Sequence, residues 1–228
     1  MASVCVKQLS KDYDLGKTKV HALKNIDLSM DKGEFVTIAG PSGSGKSTLL
    51  NMIGCLDYPT FGEVWISDTL VSSLSQSKLN KIRLNTIGFI FQSFNLIPVL
   101  DVYENIELPL LIKKDVSPKE RRERVNYFIE EVGLTAQKKQ RPAELSGGQR
   151  QRVAVARALV TKPAIVLADE PTANLDSKTG IEIIELMHEI NRHEATTFIF
   201  SSHDPKIIER ASKVLYLEDG VKVSEQVL

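Results

Sequence analysis

The stretch Gly40-Pro41-Ser42-Gly43-Ser44-Gly45-Lys46-Ser47-Thr48 decides the fold of this 228-residue chain. It matches the pattern G-x-x-x-x-G-K-[ST] at every fixed position. The apolar, β-prone run at 34–39 precedes it, and the segment 47–56 after it has the apolar spacing of a buried helix. In this order of strand, loop and helix, a glycine-rich turn aims backbone N–H groups and a helix N-terminus at one point, where phosphate oxygens are stabilised. The stretch therefore predicts a nucleotide-binding P-loop.

Two side chains of this loop have predicted tasks of their own. We expect Lys46 to reach the β- and γ-phosphates of the nucleotide and the Ser47 hydroxyl to ligate Mg²⁺. The three glycines permit the close approach of the backbone that this requires. An ordinary glycine-rich turn is the alternative, and both flanks of the stretch argue against it. Nucleotide binding is the premise for the rest of the chain.

Length, charge and cysteine content are those of an ordinary globular protein. The 228 residues allow one large domain or a domain with a smaller inserted lobe. Lys plus Arg equals Asp plus Glu, at 29 each, so no overall field draws the chain to nucleic acid or to acidic lipid, although a local patch could. No apolar run approaches the roughly 18 residues of a membrane span and the N-terminus lacks a signal-peptide layout, so we expect a soluble, cytosolic chain. Cys5 and Cys55 show no metal-ligand spacing and are predicted to be reduced core residues.

The N-terminal segment predicts antiparallel strands. Residues 4–9 have strand character, and residues 21–30 alternate apolar and polar side chains as a half-buried antiparallel strand does. The link at 11–16 has a turn-rich composition and carries Tyr13. This tyrosine is either an ordinary surface or core aromatic or a platform on which a nucleotide base stacks, and its position alone leaves both interpretations open.

The middle of the chain has a different character. A polar helix is predicted at 75–84, and an apolar strand follows at 87–91 and ends at Gln92. From 93 to about 144 there are apolar patches and a charged helix at 118–131, with no recognisable strand. This pattern predicts a helical lobe inserted into an α/β core.

The segment after the lobe predicts a second anion site. Ser146 is placed as the N-cap of a long helix that runs to about residue 160, and Gly147 and Gly148 follow it. Two glycines after a serine cap leave backbone N–H groups uncovered at the positive end of the helix dipole. An ordinary capped helix is the alternative, and a solvated helix face explains the nearby arginines equally well.

A continuous apolar strand is predicted at 164–168, followed by Asp169 and Glu170. A run without alternation suits a parallel strand that is covered on both faces, and ligands bind at the C-terminal ends of such strands. This is the Walker B arrangement, in which Asp169 holds the Mg²⁺ that Ser47 also contacts. Glu170 is then free to orient or deprotonate the attacking water.

The remaining chain continues the alternation of helix and strand. A helix is predicted at 177–191 and a strand at 196–200, and His203 is expected in the site because it lies just past a parallel strand beside two other such ends. A small hairpin is predicted around 218–220. Together these patterns predict an α/β fold of the P-loop NTPase class, with a mostly parallel core sheet, an N-terminal antiparallel β subdomain and an inserted helical subdomain.

Taken together, these residues resemble the nucleotide-binding subunit of ATP-binding cassette (ABC) transporters. The stretch Leu145-Ser146-Gly147-Gly148-Gln149 matches the signature motif of that family, which other P-loop proteins lack. The resemblance covers nearly the whole chain, so we interpret residues 1–228 as a single ATP-binding domain with its helical lobe at about 93–145. It implies an ATPase that uses ATP and Mg²⁺.

The resemblance also implies a role for each motif residue. Tyr13 resembles the adenine-stacking A-loop aromatic, Gln92 the Q-loop glutamine and His203 the switch histidine, and the stretch Ala173-Asn174-Leu175-Asp176 resembles the D-loop. The implied catalytic residues are Lys46, Gln92, Glu170 and His203, and the implied Mg²⁺ contacts are Ser47, Gln92 and Asp169. The implied ATP contacts are Tyr13, Gly40, Pro41, Ser42, Gly43, Ser44, Gly45, Lys46, Ser47, Thr48, Ser146, Gly147, Gly148, Gln149 and Asp176.

The family mechanism explains the second anion site. In relatives, the signature serine and glycines face away from their own P-loop and complete the site of a second copy. The resemblance therefore implies a head-to-tail homodimer that forms around two ATP molecules and opens on hydrolysis. A chain without a membrane span would pair with separate transmembrane permease subunits at the cytoplasmic face of the cell membrane. Apolar segments within 94–111 are the candidate docking groove, with internal packing of the lobe as the alternative for about half or more of these side chains.

Subfamily and competing functions rest on weaker signals. The stretches 50–57, 88–98 and 104–110 resemble the branch that contains lipoprotein-release, macrolide-export and cell-division proteins. The alternative function is a soluble ATP-gated clamp or scaffold that acts on nucleic acid or a protein complex. Relatives of the nucleic-acid-binding kind carry tandem cassettes or a long coiled-coil insertion, whereas this chain has one cassette and a lobe of about fifty residues. With its zero net charge, no nucleic-acid partner is expected.

Overall fold

Two β-sheets organise the chain in the computed structural model, which describes residues 2–16, 18–113 and 115–228. The strands are β1 (Ala2–Leu15), β2 (Thr18–Asp31), β3 (Phe35–Ala39), β4 (Phe61–Ile66), β5 (Thr69–Leu70), β6 (Ile87–Ile90), β7 (Ile165–Ala168), β8 (Thr197–Ser202), β9 (Lys213–Glu218) and β10 (Val221–Val227). The helices are α1 (Lys46–Ile53), α2 (Gln76–Thr86), α3 (Val102–Ile112), α4 (Pro118–Glu131), α5 (Gly147–Leu159), α6 (Ser177–Glu194) and α7 (Pro205–Ile208), with short 3₁₀ turns at Thr135–Gln137 and Pro142–Glu144.

The larger sheet has the strand order β10-β9-β3-β8-β7-β6. Neighbouring strands of this sheet pair in parallel, except β9 and β10, which form the C-terminal antiparallel hairpin. Every residue of β3, β7 and β8 is buried, as expected of parallel strands with both faces covered. The C-terminal ends of β3, β7 and β8 therefore meet at one edge, where the P-loop, the two acids and His203 follow them.

The smaller sheet is antiparallel, with the order β2-β1-β4-β5. The smaller sheet contacts the larger one directly, because the N–H of Lys24 in β2 donates to the carbonyl of Gly220 in the β9–β10 hairpin at 2.8 Å. The predicted N-terminal antiparallel subdomain is thus present, and it borders the larger sheet beside the P-loop.

Two apolar clusters cover the two faces of the larger sheet. Phe35 and Phe198 point into the cluster formed with α3, α4, α5 and α6. Their sequence neighbours Val36 and Ile199 point into the other, which includes α1 and the smaller sheet. The alternation follows from the two-residue period of a strand, and it fixes the helical lobe on one side and the antiparallel sheet on the other.

The lobe between β6 and α5 is helical, as predicted, and the described residues at 93–113 and 115–145 contain no strand. Its helix α3 begins with a capping box, in which Asp101 accepts from the N–H of Glu104 and Glu104 accepts from the N–H of Asp101. Its helix α4 begins after Ser117, whose side chain accepts from the N–H of Glu120. Pro118 follows at the first helical position, where a missing N–H costs nothing.

The structure corrects one local prediction. Residues 11–15 belong to the long strand β1, and only Gly16 after them is a turn residue. Tertiary contacts hold this polar segment in the sheet: the N–H of Asp12 donates to Thr60 Oγ1 at 2.9 Å, and Asp12 Oδ1 lies 2.7 Å from His21 Nδ1. The described helices include none with both the length and the apolar character that a bilayer crossing requires.

Candidate active site

The P-loop joins the buried strand β3 to helix α1, as the sequence predicts. Gly45 is the N-cap of α1 and adopts a left-handed conformation, with φ at 102°. A Cβ atom at Gly45 would lie 2.6 Å from the Ala22 carbonyl oxygen, and one at Gly40 would lie 2.1 Å from the Leu217 carbonyl oxygen. These two glycines are therefore required by close backbone approach from β2 and from β9.

The ammonium group of Lys46 lies inside the turn of the loop. Its Nζ donates to the carbonyl oxygens of Gly40 at 2.9 Å and of Pro41 at 2.8 Å, and only 5% of the residue surface is exposed. No carboxylate pairs with Lys46 among the described residues. A buried cation held by two carbonyl oxygens is well placed for an anionic ligand, because a phosphate would supply the charge neutralisation that neutral carbonyls do not.

A cavity of about 440 Å³ opens in front of this loop. It is lined by the loop residues Ser42, Gly43, Gly45, Lys46, Ser47 and Thr48, by Val20, His21, Ala22 and Lys24 of β2, by Asp219 and Gly220 of the hairpin, and by Glu170. The cavity thus joins the phosphate-binding loop to a strand-end carboxylate. Its volume falls in the range of small-molecule sites, which is about 300–1,000 Å³.

The predicted Mg²⁺ contacts Ser47 and Asp169 lie together. The Ser47 hydroxyl donates to Asp169 Oδ1 at 3.0 Å. Hydroxyl and carboxylate oxygens are the ligands that Mg²⁺ prefers, and the ion usually completes its shell with water and substrate phosphates. The pair therefore fits a magnesium ion that is bound together with a nucleotide.

Glu170 and His203 form the next pair along the same edge. His203 Nδ1 lies 3.2 Å from Glu170 Oε1, and 63% of the histidine side chain is exposed. Glu170 itself has a left-handed backbone, with φ at 44°, which is uncommon for a non-glycine residue and costs free energy. Glu170 is also among the residues that line the cavity in front of the P-loop.

Sequence reasoning missed Ser201, which is fully buried beside the two acids. Its hydroxyl donates to Asp169 Oδ1 at 2.7 Å and accepts from the N–H of Glu170 at 2.8 Å. The available signal was a pair of serines, Ser201 and Ser202, at the end of an otherwise apolar core strand, just before His203. A hydroxyl in a strand that is buried on both faces needs a partner, and the nearest charged groups follow the neighbouring strand.

The signature stretch 145–149 lies outside the lining of the P-loop cavity. Ser146 caps α5 by accepting from the N–H of Gln149 at 3.2 Å, and Gln149 Oε1 accepts from the N–H of Ser146 at 2.9 Å. A Cβ atom at Gly147 would lie 3.3 Å from Leu175, and one at Gly148 would lie 2.6 Å from Thr179. This helix end packs on the D-loop and on the first turn of α6. None of the described residues that line the P-loop cavity comes from 146–149.

Other predicted site residues are also absent from the cavity lining, among them Tyr13, Gln92 and Asp176. The Tyr13 hydroxyl donates to Asp57 Oδ2 at 3.1 Å, and Lys11 Nζ lies 4.7 Å from the centroid of the Tyr13 ring. Gln92 is exposed, and its carbonyl accepts from Asn174 Nδ2 at 2.9 Å, which ties the Q-loop to the D-loop. Asp176 caps α6, and this hydrogen bond from Thr179 lowers the pKa of its carboxyl.

Comparisons with known proteins agree with this architecture. A sequence model of the ABC transporter family matches residues 23–173. The ABC transporter ATP-binding protein MJ0796 of Methanocaldococcus jannaschii is 46% identical over 98% of this chain and 96% of its own length. LolD of Bordetella pertussis, the ATP-binding protein of a lipoprotein-releasing system, is 41% identical over 94% of this chain and 92% of its own length. MacB of Bdellovibrio bacteriovorus, a macrolide export ATP-binding/permease protein, is 42% identical over 97% of this chain and 33% of its own length.

Solved structures give the same result in three dimensions. A dimer of the ATP-binding cassette MJ0796 in a post-hydrolysis state, bound to ADP and Pi, matches with a TM-score of 0.90 and 46% identity, over 99% of this chain and 98% of that chain. The cassette CbiO1 of Clostridium perfringens, part of the transporter complex CbiONQ, matches with a TM-score of 0.89 and 28% identity, over 99% of this chain and 88% of that chain.

Proposed function

The chain belongs to the ABC transporter family, and on this basis we propose that it is an ATP-hydrolysing subunit that drives a separate transmembrane protein. The observation that carries this proposal is the convergence of Lys46, Ser47, Asp169, Glu170 and His203 at one edge of the larger sheet. Each of these groups has a task in ATP hydrolysis, and the fold brings them to one place from distant parts of the chain.

The proposed division of labour follows from their chemistry. Lys46 and the loop N–H groups bind the β- and γ-phosphates, and Ser47 and Asp169 hold Mg²⁺, which neutralises phosphate charge when it is bound. Glu170 accepts the proton of the attacking water, because its carboxylate lines the cavity in front of the loop. His203, at 3.2 Å from Glu170, orients that carboxylate and contacts the γ-phosphate.

The signature stretch supports a dimer. None of residues 146–149 lines the cavity in front of the same chain's P-loop, so on this proposal a second copy brings their N–H groups to a phosphate. The solved cassette of Methanocaldococcus jannaschii is dimeric and is 46% identical to this chain. We propose the same head-to-tail arrangement, in which ATP is bound between Lys46 of one copy and Ser146 of the other.

An apolar groove supports a membrane partner. A cleft of about 270 Å³ between α2, β6, α3 and α5 is lined by Phe89, Phe91 and Pro109 together with Arg157. A shallower hollow beside it is lined by Leu56, which is 46% exposed, and Ile112, which is 61% exposed. Exposed apolar side chains of this kind mark interaction sites, and we propose that a cytoplasmic segment of the permease binds here.

The groove differs in part from the docking segment expected at 94–111. Ile106 and Leu110 are fully buried inside the lobe, so internal packing is the correct interpretation for them. Asn95 and Pro109 do line the groove, and the remaining walls come from α2, β6 and α5. Binding there would hold this chain at the cytoplasmic face of the membrane, which is the proposed location of the complex.

Steady-state phosphate release tests the proposed activity. We expect turnover by the wild-type protein and a loss of about 10²- to 10⁴-fold in Glu170→Gln with ATP binding retained, as for removal of a general base. Glu182→Gln is the matched control, because Glu182 is an exposed residue of α6. Glu170→Gln turnover within twofold of both the wild type and the control would contradict the assignment of Glu170.

A further inference from the structure

We propose that Ser201 is a positioning residue for ATP hydrolysis, which fixes the carboxylate of Asp169 and the backbone of Glu170 relative to each other. This inference rests on the proposed function. Ser201 is not among the motif residues that the family resemblance implies. Its assignment comes from its hydrogen bonds, its burial and its place in the sheet.

One hydroxyl connects both acids. Ser201 Oγ donates its proton to Asp169 Oδ1 at 2.7 Å and accepts the N–H of Glu170 at 2.8 Å. Ser201 has no exposed surface, so water does not compete for either bond. A hydroxyl has one proton to donate and lone pairs to accept, and this geometry uses both capacities at once.

The sheet explains why the hydroxyl is needed at this position. In the β7–β8 pair, Ala168 lies opposite Phe200, and β7 ends there whereas β8 continues to Ser202. Glu170 has left the extended conformation, with φ at 44°, so its N–H no longer lies in the strand ladder. The Ser201 side chain supplies the acceptor that the ladder has lost, and it thereby holds an uncommon backbone conformation in place.

The same hydroxyl orients the Asp169 carboxylate. Oδ1 of Asp169 accepts both from Ser201 at 2.7 Å and from Ser47 at 3.0 Å. Hydrogen bonds to an ionised acceptor are stronger than those between neutral groups. Two donors on one oxygen set the rotation of the carboxylate, and the partner on β8 remains in place when Ser47 turns to a metal ion.

Removal of this hydroxyl should therefore affect geometry and not nucleotide recognition. Lys46 donates to carbonyls of its own loop, and neither these contacts nor the phosphate contacts proposed for Lys46 and the loop N–H groups involve Ser201. In contrast, the proposed Mg²⁺ contact of Asp169 and the placement of Glu170 both depend on hydrogen bonds with Ser201. Groups that orient metal ligands affect metal affinity and activity by about 10- to 100-fold, and small misplacements of a catalytic group have effects of similar size.

Three variants test the inference. Ser201→Ala removes the hydroxyl without adding bulk, and Ser201→Thr restores a hydroxyl at the same position. Ser202→Ala is the matched control, because Ser202 is the next residue of β8, and the N–H of Asp204, at 3.1 Å, is the one partner of its Oγ among the described residues. The measurements are kcat, KM for ATP, the Mg²⁺ concentration at half-maximal rate, and ATP affinity with Mg²⁺ and with EDTA.

For Ser201→Ala we expect kcat about 10- to 100-fold lower, a higher Mg²⁺ requirement, and an ATP affinity in EDTA equal to that of the wild type. Ser202→Ala should match the wild type, and Ser201→Thr should recover most of the lost rate and Mg²⁺ affinity. A folded Ser201→Ala protein with wild-type kcat and Mg²⁺ dependence overturns the inference. So does an equal loss in Ser202→Ala, or a Ser201→Thr protein that folds and recovers nothing. Failure of the proposed function is separate, because it would appear as absent turnover in the wild type itself.

Discussion

The hydroxyl of Ser47 donates to Oδ1 of Asp169 at 3.0 Å, although 122 positions separate the two residues in the chain. The contact joins the first turn of α1, which follows β3, to the C-terminal end of β7. The strand β8, which carries Ser201, lies between β3 and β7 in the sheet. A P-loop and a strand-end carboxylate are recognisable in the sequence, but only the parallel pairing of the larger sheet brings them within reach of one metal ion.

Replacement of Lys46 tests the phosphate site. Lys46→Ala removes the cation that Gly40 and Pro41 hold inside the loop, so we expect ATP affinity to fall by about 10- to 100-fold, in line with the loss of a charge-assisted contact worth about 1.5–3 kcal/mol. Titration with a fluorescent ATP analogue measures the change. Lys78→Ala, at an exposed position of α2, is the control and should bind as the wild type does. Equal affinities in both variants would contradict the role of Lys46.

Asn105 is the polar anchor of the lobe. It is fully buried, and its Nδ2 donates to the carbonyls of Ile97, Leu100 and Asp101 while its Oδ1 accepts from the N–H of Ile97 at 2.8 Å. We expect Asn105→Ala to lower the free energy of unfolding by about 2–3 kcal/mol, because buried backbone groups lose partners. Urea denaturation measures the loss. The exposed residue Asn126 provides the control variant Asn126→Ala, with an effect within about 0.5 kcal/mol. A similar small effect at both positions would refute this prediction.

Arg157 clamps the segment after Gln92. Its guanidinium donates to the carbonyls of Phe94, at 2.7 Å, and Asn95, whose φ angles of 61° and 49° are left-handed. The Arg157 side chain is half-buried, and this burial lowers the pKa of its guanidinium. Lysine cannot reproduce the forked geometry.

We therefore expect Arg157→Lys to speed amide hydrogen exchange in residues 93–96 by about tenfold, the equivalent of losing one hydrogen bond. Arg152→Lys is the matched control, because Arg152 donates to the Val132 carbonyl at 3.1 Å in another part of the lobe. Its effect should be confined to the region of Val132. If both variants changed hydrogen exchange to the same extent throughout the lobe, the effect of Arg157 would not be specific to residues 93–96.

The two cysteines should differ in reactivity. Both are free, as predicted, and Cys55, which is only 3% exposed, is a core residue. The prediction of a core position is wrong for Cys5, which is half-buried. Burial raises the pKa of the Cys55 thiol to about 11. In a Cys5→Ser protein at pH 8, we expect Cys55 to react with a thiol reagent at least about 100-fold more slowly when folded than when unfolded, because the thiolate is the nucleophile. Rapid labelling of the folded protein would contradict the burial of this thiol.

The raised pKa of Cys55 also makes the free energy of unfolding depend on pH. The unfolded thiol loses its proton near its ordinary value, whereas the folded thiol keeps it to about 11. The contribution of Cys55 to stability is thus fully present below the ordinary thiol pKa and falls as the pH rises towards 11. Cys55→Ala should remove this part of the alkaline loss.

The features that could be predicted from sequence are those that local chemistry determines. Helix α4 occupies the predicted residues 118–131, because a serine cap and a proline at the first position define where it begins. The P-loop, the strand before Asp169 and the N-cap Ser146 follow from equally local patterns. The family assignment is confirmed by the matched family and by relatives that include LolD and MacB.

The features that sequence could not supply depend on partners far along the chain. The segment 11–15 has a turn-like composition and became a strand, because Thr60 and His21 bond to Asp12. The task of Ser201 depends on a carboxylate 32 positions away, and no spacing within one strand predicts such a contact. The place of the signature stretch, outside its own P-loop cavity, was implied only by the family resemblance.

Light scattering of the Glu170→Gln protein, with and without ATP and Mg²⁺, tests the proposed ATP-dependent dimer. It depends on the phosphate site, the signature stretch and the catalytic carboxylate together. We expect a monomer without nucleotide and a dimer with ATP, because each bound nucleotide would add contacts to both chains. The dimer should be lost in a protein that also carries Ser146→Arg. A protein that binds ATP and remains monomeric at saturating nucleotide would contradict the proposal that two copies enclose ATP between Lys46 and Ser146.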